Sequence, residues 1–222
     1  MDGCIFDFNG TLLFDTPYHL EAWNRMSEEL TGKSLDHETL IRDFAGVPNI
    51  VCLQNMRPGG TKEWYEQQSE HKEELYRDII ANLPEKAQLV TGAEELFDLL
   101  KANRIPFTIA SASIKANIDF FVETFGLDRW MDPEKIIYDN NTYENKTAMF
   151  RNACRVLGVS EEVLVFEDSP SGIRSAEALD GSRIIAIDSG WVRERRKEDP
   201  RIILAVKNLR ESVDTVRNLF QI

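Results

Sequence analysis

Cysteine is scarce. Cys4, Cys52 and Cys154 are odd in number and far apart, and no CxxC pair occurs. This excludes a zinc ribbon and a redox motif. Three free thiols packed as small apolar residues are expected, in keeping with a reducing compartment. Long apolar runs are also missing. None approaches the ~20 residues that span a bilayer. The opening MDGCIFDFNG has an acid at its second position and no basic stretch, so it does not read as a secretion signal. A cytoplasmic protein without a membrane segment is the expectation. Positive charge is the minority: 26 Lys and Arg face 38 Asp and Glu, for a net charge of −12. The basic face of a nucleic-acid binder is not expected, whereas a small anionic substrate stays open.

What is present is ordinary for a globular chain. Of 222 residues, 42% are hydrophobic and 29% charged, and the length fits one large domain or a domain with an insert. Short apolar runs each lead into a polar residue: Cys4-Ile5-Phe6 into Asp7, residues 106–110 into Ser111, 163–166 into Glu167-Asp168, and 184–187 into Asp188. Helical patterns fall between them at about 93–103, 115–125, 146–157 and 171–180. This alternation predicts an α/β fold, a doubly wound parallel sheet with helices on both faces. A further strand is expected at 202–206 and a closing helix at about 209–220. The stretch 15–87 breaks the rhythm with helical patterns only. It reads as an inserted helical domain, leaving 1–14 and 88–222 for the α/β part. Thr16-Pro17 is expected to start its first helix, with Thr16 as N-cap.

In such sheets ligands bind beyond the carboxyl ends of the strands. Asp7, Ser111, Glu167 and Asp168 stand there. Carboxylates gathered at one edge repel one another, and a hard divalent cation such as Mg²⁺ relieves that. The hexapeptide Asp7-Phe8-Asn9-Gly10-Thr11-Leu12 puts a carboxylate beside a glycine turn whose N–H groups can face an anion. A carboxylate so placed can attack phosphorus. The competing reading is an Asn-Gly turn closing a hairpin.

Four features in order resemble the haloacid dehalogenase superfamily of phosphotransferases, and most closely its β-phosphoglucomutase-like branch. They are DFNGTL at 7–12, Ser111 in IASAS, Lys146 at a helix start, and EDSPSGI at 167–173. The helical insert and DTPYHLEAW at 15–23 resemble that branch's cap. The resemblance implies a Rossmann-like core with Asp7 as the nucleophile that forms an aspartyl phosphate. Asp7, the backbone carbonyl of Asn9, and Asp168 would bind Mg²⁺, with Glu167 close by. Gly10, Ser111, Ala112 and Lys146 would hold the phosphoryl group. His19 and Lys72 are the cap residues it points to, against the alternatives of a polar helix-start residue for His19 and a solvated lysine for Lys72. Asn49 stands near the place where the mutases carry a phosphate-gripping Arg.

One position departs from the pattern. Family members that turn over phosphate esters usually have Asp two residues after the nucleophile, as general acid and base. Here it is Asn9, which cannot shuttle a proton near neutral pH. Three readings compete: a slow phosphatase with a long-lived phosphoenzyme, another base such as His19, or a substitution made to trap an intermediate or a binding protein that has lost its turnover. Deamidation of Asn9-Gly10 would restore an acid. The expected function is Mg²⁺-dependent hydrolysis of a small phosphate ester, a sugar phosphate, by a monomer. The alternatives are a sugar-phosphate mutase and a non-catalytic binder of phosphorylated ligands. Trp23, Trp64, Trp130 and Trp191 read as packing residues, and the run Arg193–Lys197 as a solvated loop.

Overall fold

A computed structural model describes all 222 residues. The chain order is β1 (Gly3–Phe6), α1 (Thr16–Thr31), α2 (His37–Phe44), α3 (Asn49–Met56), α4 (Lys62–Ala81), α5 (Ala93–Ala102), β2 (Phe107–Ile114), α6 (Lys115–Phe125), β3 (Ile137–Asp139), α7 (Lys146–Leu157), β4 (Val163–Glu167), α8 (Pro170–Glu177), β5 (Arg183–Ile187), α9 (Gly190–Glu198), β6 (Ile202–Val206) and α10 (Val213–Phe220). Two compact units result. One holds Met1–Phe14 and Gln88–Ile222, the other Asp15–Ala87. No helix is long and apolar enough to cross a membrane.

The first unit is an α/β layer structure. Its six strands run in the order β3-β2-β1-β4-β5-β6, and every neighbouring pair is parallel. The central strands are buried on both faces, which is why they read as unbroken apolar runs. β1 and β4 pair in register from Gly3 with Val163 to Phe6 with Phe166. Side chains alternate between faces. Ile5, Val163 and Val165 pack with Phe150, Ile173 and Ile184 in one cluster. Phe6 stacks on Phe166 with ring centroids 4.3 Å apart and meets Phe97 edge-on at 5.2 Å.

Three expectations for this unit change. β3 was not expected, because its three residues are too short to show a period. β2 does not end at Ser111 but runs on to Ile114, with an irregular register against β3. The run at 193–197 is not a loop. It lies in α9, where Ser189 caps the helix by accepting the Val192 N–H and the basic side chains fill the last turn. Cations there suit the negative end of the helix dipole.

The second unit is all helix. α1 packs along α4, and Leu20, Trp23, Met26, Leu53 and Tyr65 are among its core residues. Its first helix is not capped as expected. Thr16 is already helical and Asp15 takes the cap position, but the Asp15 carboxylate accepts the Tyr76 hydroxyl at 2.5 Å instead of a helix N–H. All three cysteines are free and buried. Trp23 is 2% exposed, in line with a packing role.

Candidate active site

β1 and β4 are adjacent and parallel, so their carboxyl ends deliver Asp7, Glu167 and Asp168 to one edge. One oxygen from each carboxylate lies within 4.8 Å of the others. Lys146, the first residue of α7, projects among them. Its ammonium donates to Asp7 Oδ1 at 2.6 Å and also to Glu167 Oε1. Asn145 sets that helix start by accepting the Ala148 N–H. Thr11 Oγ1 lies 3.5 Å from both Asp7 Oδ2 and Asp168 Oδ1.

Glu167 is fully buried. Its Oε2 accepts the N–H groups of Asp168 and Ser169, each at 2.7 Å, and the Ser169 hydroxyl at 3.1 Å. Ser169 also caps α8 by accepting the Gly172 N–H. The sequence EDSPSG therefore folds into a turn that wraps its own glutamate. Two glycines complete the cradle. A Cβ on Gly172 would lie 1.6 Å from Glu167 Oε1, and one on Gly10 2.2 Å from Asp168 Oδ2. Gly10 also has φ +78°, which disfavours any side chain.

Burial sets the protonation of the group. It pushes Asp7 up to about 7, with Lys146 opposing the rise and Glu167 adding to it. Burial, with the charges of Asp7 and Glu167, pushes Asp168 up to about 8. Burial works against the Lys146 charge, yet Asp7 and Glu167 more than offset it and raise its affinity for the proton. Three carboxylates with one lysine are a donor set short of positive charge. The all-oxygen donors and the glycine cradle fit a divalent cation.

The loop after β1 is closed by its own hydrogen bonds. The Gly10 N–H, expected to grip an anion, donates to the Leu13 carbonyl at 2.7 Å. Asn9 Oδ1 accepts two hydroxyls, from Ser111 at 3.2 Å and Ser113 at 2.6 Å. Ser111 is buried and Ala112 exposed on β2. Ser113 escaped the sequence reading. Residues two apart on a strand share a face, but this points to Ser113 only once β2 is known to run past Ser111.

His19, Lys72 and Asn49 belong to the helical unit and form a polar cluster there, with Lys72 buried and His19 and Asn49 half-buried. Lys72 is not solvated: it is 2% exposed. Its ammonium lies 2.6 Å from His19 Nδ1 and 2.9 Å from Glu73 Oε1. Asn49 donates to Glu73 at 2.8 Å. His19 Nε2 faces Asp15 at 3.5 Å, and its ring stacks on Tyr76. The Nδ1 of His19 is thus already an acceptor.

The family model for haloacid dehalogenase-like hydrolases matches residues 1–180. The chain belongs to this family. A solved haloacid dehalogenase hydrolase of family IA, variant 3, from Entamoeba histolytica is 33% identical, covers 95% of each chain and superposes with a TM-score of 0.84. The phosphorylated carbohydrates phosphatase of Thermotoga maritima is 24% identical over 195 residues, which is 84% of this chain and 85% of that protein. β-Phosphoglucomutase from Clostridium difficile shares the fold, with a TM-score of 0.70, 18% identity and coverage of 99% and 98%. This haloacid dehalogenase-like hydrolase is therefore an enzyme of phosphatase-like type.

Proposed function

We propose that this hydrolase takes the phosphoryl group of a small phosphate ester, of the sugar-phosphate class, onto Asp7 and then passes it to water. The observation that carries this reading is the meeting of Asp7, Glu167 and Asp168 with Lys146 at one edge of the sheet. Asp7 is the nucleophile: a carboxylate oxygen bonds to phosphorus as the ester oxygen leaves with its electron pair. Lys146, the Ser111 hydroxyl and the Ala112 backbone hold the phosphoryl oxygens. Phosphoryl transfer depends on such positioning and charge neutralisation.

Asp7, Asp168 and the Asn9 carbonyl would hold Mg²⁺, with Glu167 beside them. When bound, the ion neutralises charge on the transferring group. The helical unit acts as a cap that supplies substrate choice. Asn9 sets the pace. Its amide cannot protonate the leaving oxygen or take a proton from the attacking water, so the phosphoenzyme is long-lived and turnover slow. The occupied Nδ1 of His19 gives no support to a replacement base there.

A screen of phosphate esters with Mg²⁺ tests this, run on the native chain, Asp7→Ala and Asn9→Asp together. Phosphate release should be slow, abolished in Asp7→Ala, and faster in Asn9→Asp by up to ~10²–10⁴, the usual worth of a general acid–base group. Full activity in Asp7→Ala removes the nucleophile. Tight retention of esters with no turnover in any variant selects the binding reading. Isomerisation of a hexose 1-phosphate without phosphate release selects the mutase.

A further inference from the structure

Ser113 lies two residues past Ser111 on the same face of β2. Its N–H donates to Ser111 Oγ at 3.2 Å. That contact uses an acceptor of Ser111 and leaves its proton to donate, and the proton goes to Asn9 Oδ1 at 3.2 Å. Ser113 Oγ donates to the same atom at 2.6 Å. Both hydroxyls thus meet Asn9 at its carbonyl oxygen, which accepts from each. An amide is planar, so with its oxygen held against β2 its NH₂ is turned away from the strand. Across the peptide bond, the Gly10 N–H is bound to the Leu13 carbonyl at 2.7 Å.

We propose that Ser113 is a positioning residue that locks the Asn9 amide in this one orientation, and that the lock keeps position 9 an amide. An Asn-Gly pair degrades when the Gly nitrogen, having lost its proton to solvent, attacks the Asn side-chain carbon. Ammonia leaves with the side-chain nitrogen and a succinimide ring closes. Water then opens the ring to Asp or isoaspartate. That attack needs the Asn9 side chain to swing until Cγ faces the Gly10 nitrogen, and it needs that nitrogen free. The Ser113 bond opposes the first and the Leu13 bond opposes the second. The same lock fixes a hydrogen-bond donor, not a proton acceptor, toward a bound ester; this second consequence rests on the phosphoryl-transfer reading.

The test compares the native chain, Ser113→Ala and Ser113→Thr. Each is aged without substrate and mapped by peptide mass at Asn9, with the other asparagines as internal controls. Conversion at Asn9 should be several-fold faster in Ser113→Ala and return to the native rate in Ser113→Thr, which keeps the hydroxyl. Conversion elsewhere should not change. Freshly prepared Ser113→Ala should also hydrolyse p-nitrophenyl phosphate with Mg²⁺ about 3- to 10-fold more slowly at an unchanged KM, the worth of one hydrogen bond. In an Asn9→Ala background the Ser113 change should have no further effect. An Asn9 lifetime equal in native and Ser113→Ala overturns the proposal. So does faster conversion at all asparagines without rescue by Thr. The aging arm needs no turnover, so it judges the lock even where Asp7→Ala shows the phosphoryl-transfer reading to be wrong.

Discussion

The Lys146 ammonium lies 2.6 Å from Asp7 Oδ1 across 139 positions of chain. It is the one cation in direct contact with the acidic cluster, and it joins α7 to the ends of β1 and β4. Replacing it with alanine leaves three crowded carboxylates without a counter-charge. Lys146→Ala should cost about 3–5 kcal/mol, the usual penalty for breaking a buried pair. Urea melts should show the loss, with partial recovery on adding a divalent cation.

The raised carboxyl groups give a pH signature. Asp7 at about 7 and Asp168 at about 8 hold protons in the native state that the unfolded chain gives up near pH 4. Their contribution to stability is therefore full below pH ~4 and lost as pH rises through 7 to 8. A bound cation displaces those protons. The rise in Tm on adding Mg²⁺ should be small at about pH 5.5 and large at about pH 8.5. A shift independent of pH would place the ion elsewhere.

Glu73 behaves in the opposite sense. Burial alone would raise it, but the Lys72 ammonium beside it and the Asn49 hydrogen bond hold it at about 2. Its stabilisation is complete above its ordinary value near 4.5 and is lost as pH falls toward 2. Glu73→Gln leaves Lys72 buried without its carboxylate partner. Hydrogen exchange should loosen in α1 and α4 by about 3–5 kcal/mol and leave β1 and β4 protected.

The glycine cradle is sensitive to a single carbon. Gly172→Ala puts a methyl 1.6 Å from Glu167 Oε1, and Gly10→Ala puts one 2.2 Å from Asp168 at a positive φ. Each should cost about 1–3 kcal/mol from overpacking and reduce the affinity for a divalent cation measured by calorimetry. Gly158→Ala, with open space around its Cβ, isolates the effect of positive φ alone.

Much of this was legible in the sequence. β1, β4 and β5 showed because strands buried on both faces are apolar nearly throughout, and β6, an edge strand, by its own short apolar run. Asp7, Glu167 and Asp168 followed from parallel topology, which sends strand ends to one edge. Other features escaped for physical reasons. β3 is too short to carry a period. α9 is held by a serine cap and a dipole-matched basic end, and its polar surface resembles that of a loop. Lys72 looked solvated because sequence does not reveal that its ammonium is buried between the Glu73 carboxylate and the His19 ring. Ser113 was hidden because β2 continues past the residue that seemed to end it.

The Val90 N–H donates to the Leu12 carbonyl at 2.8 Å. Both ends of the inserted segment are thus stapled together inside the α/β unit, just before the chain departs and just after it returns. Loop closure is settled there, whatever the intervening residues do, and its entropy grows only slowly with length. The α/β unit can therefore accept a longer, shorter or wholly different insert between Phe14 and Gln88 without relearning how to fold. In that sense residues 15–87 are a replaceable module, whose exchange leaves the strand ends that carry Asp7, Glu167 and Asp168 where they are.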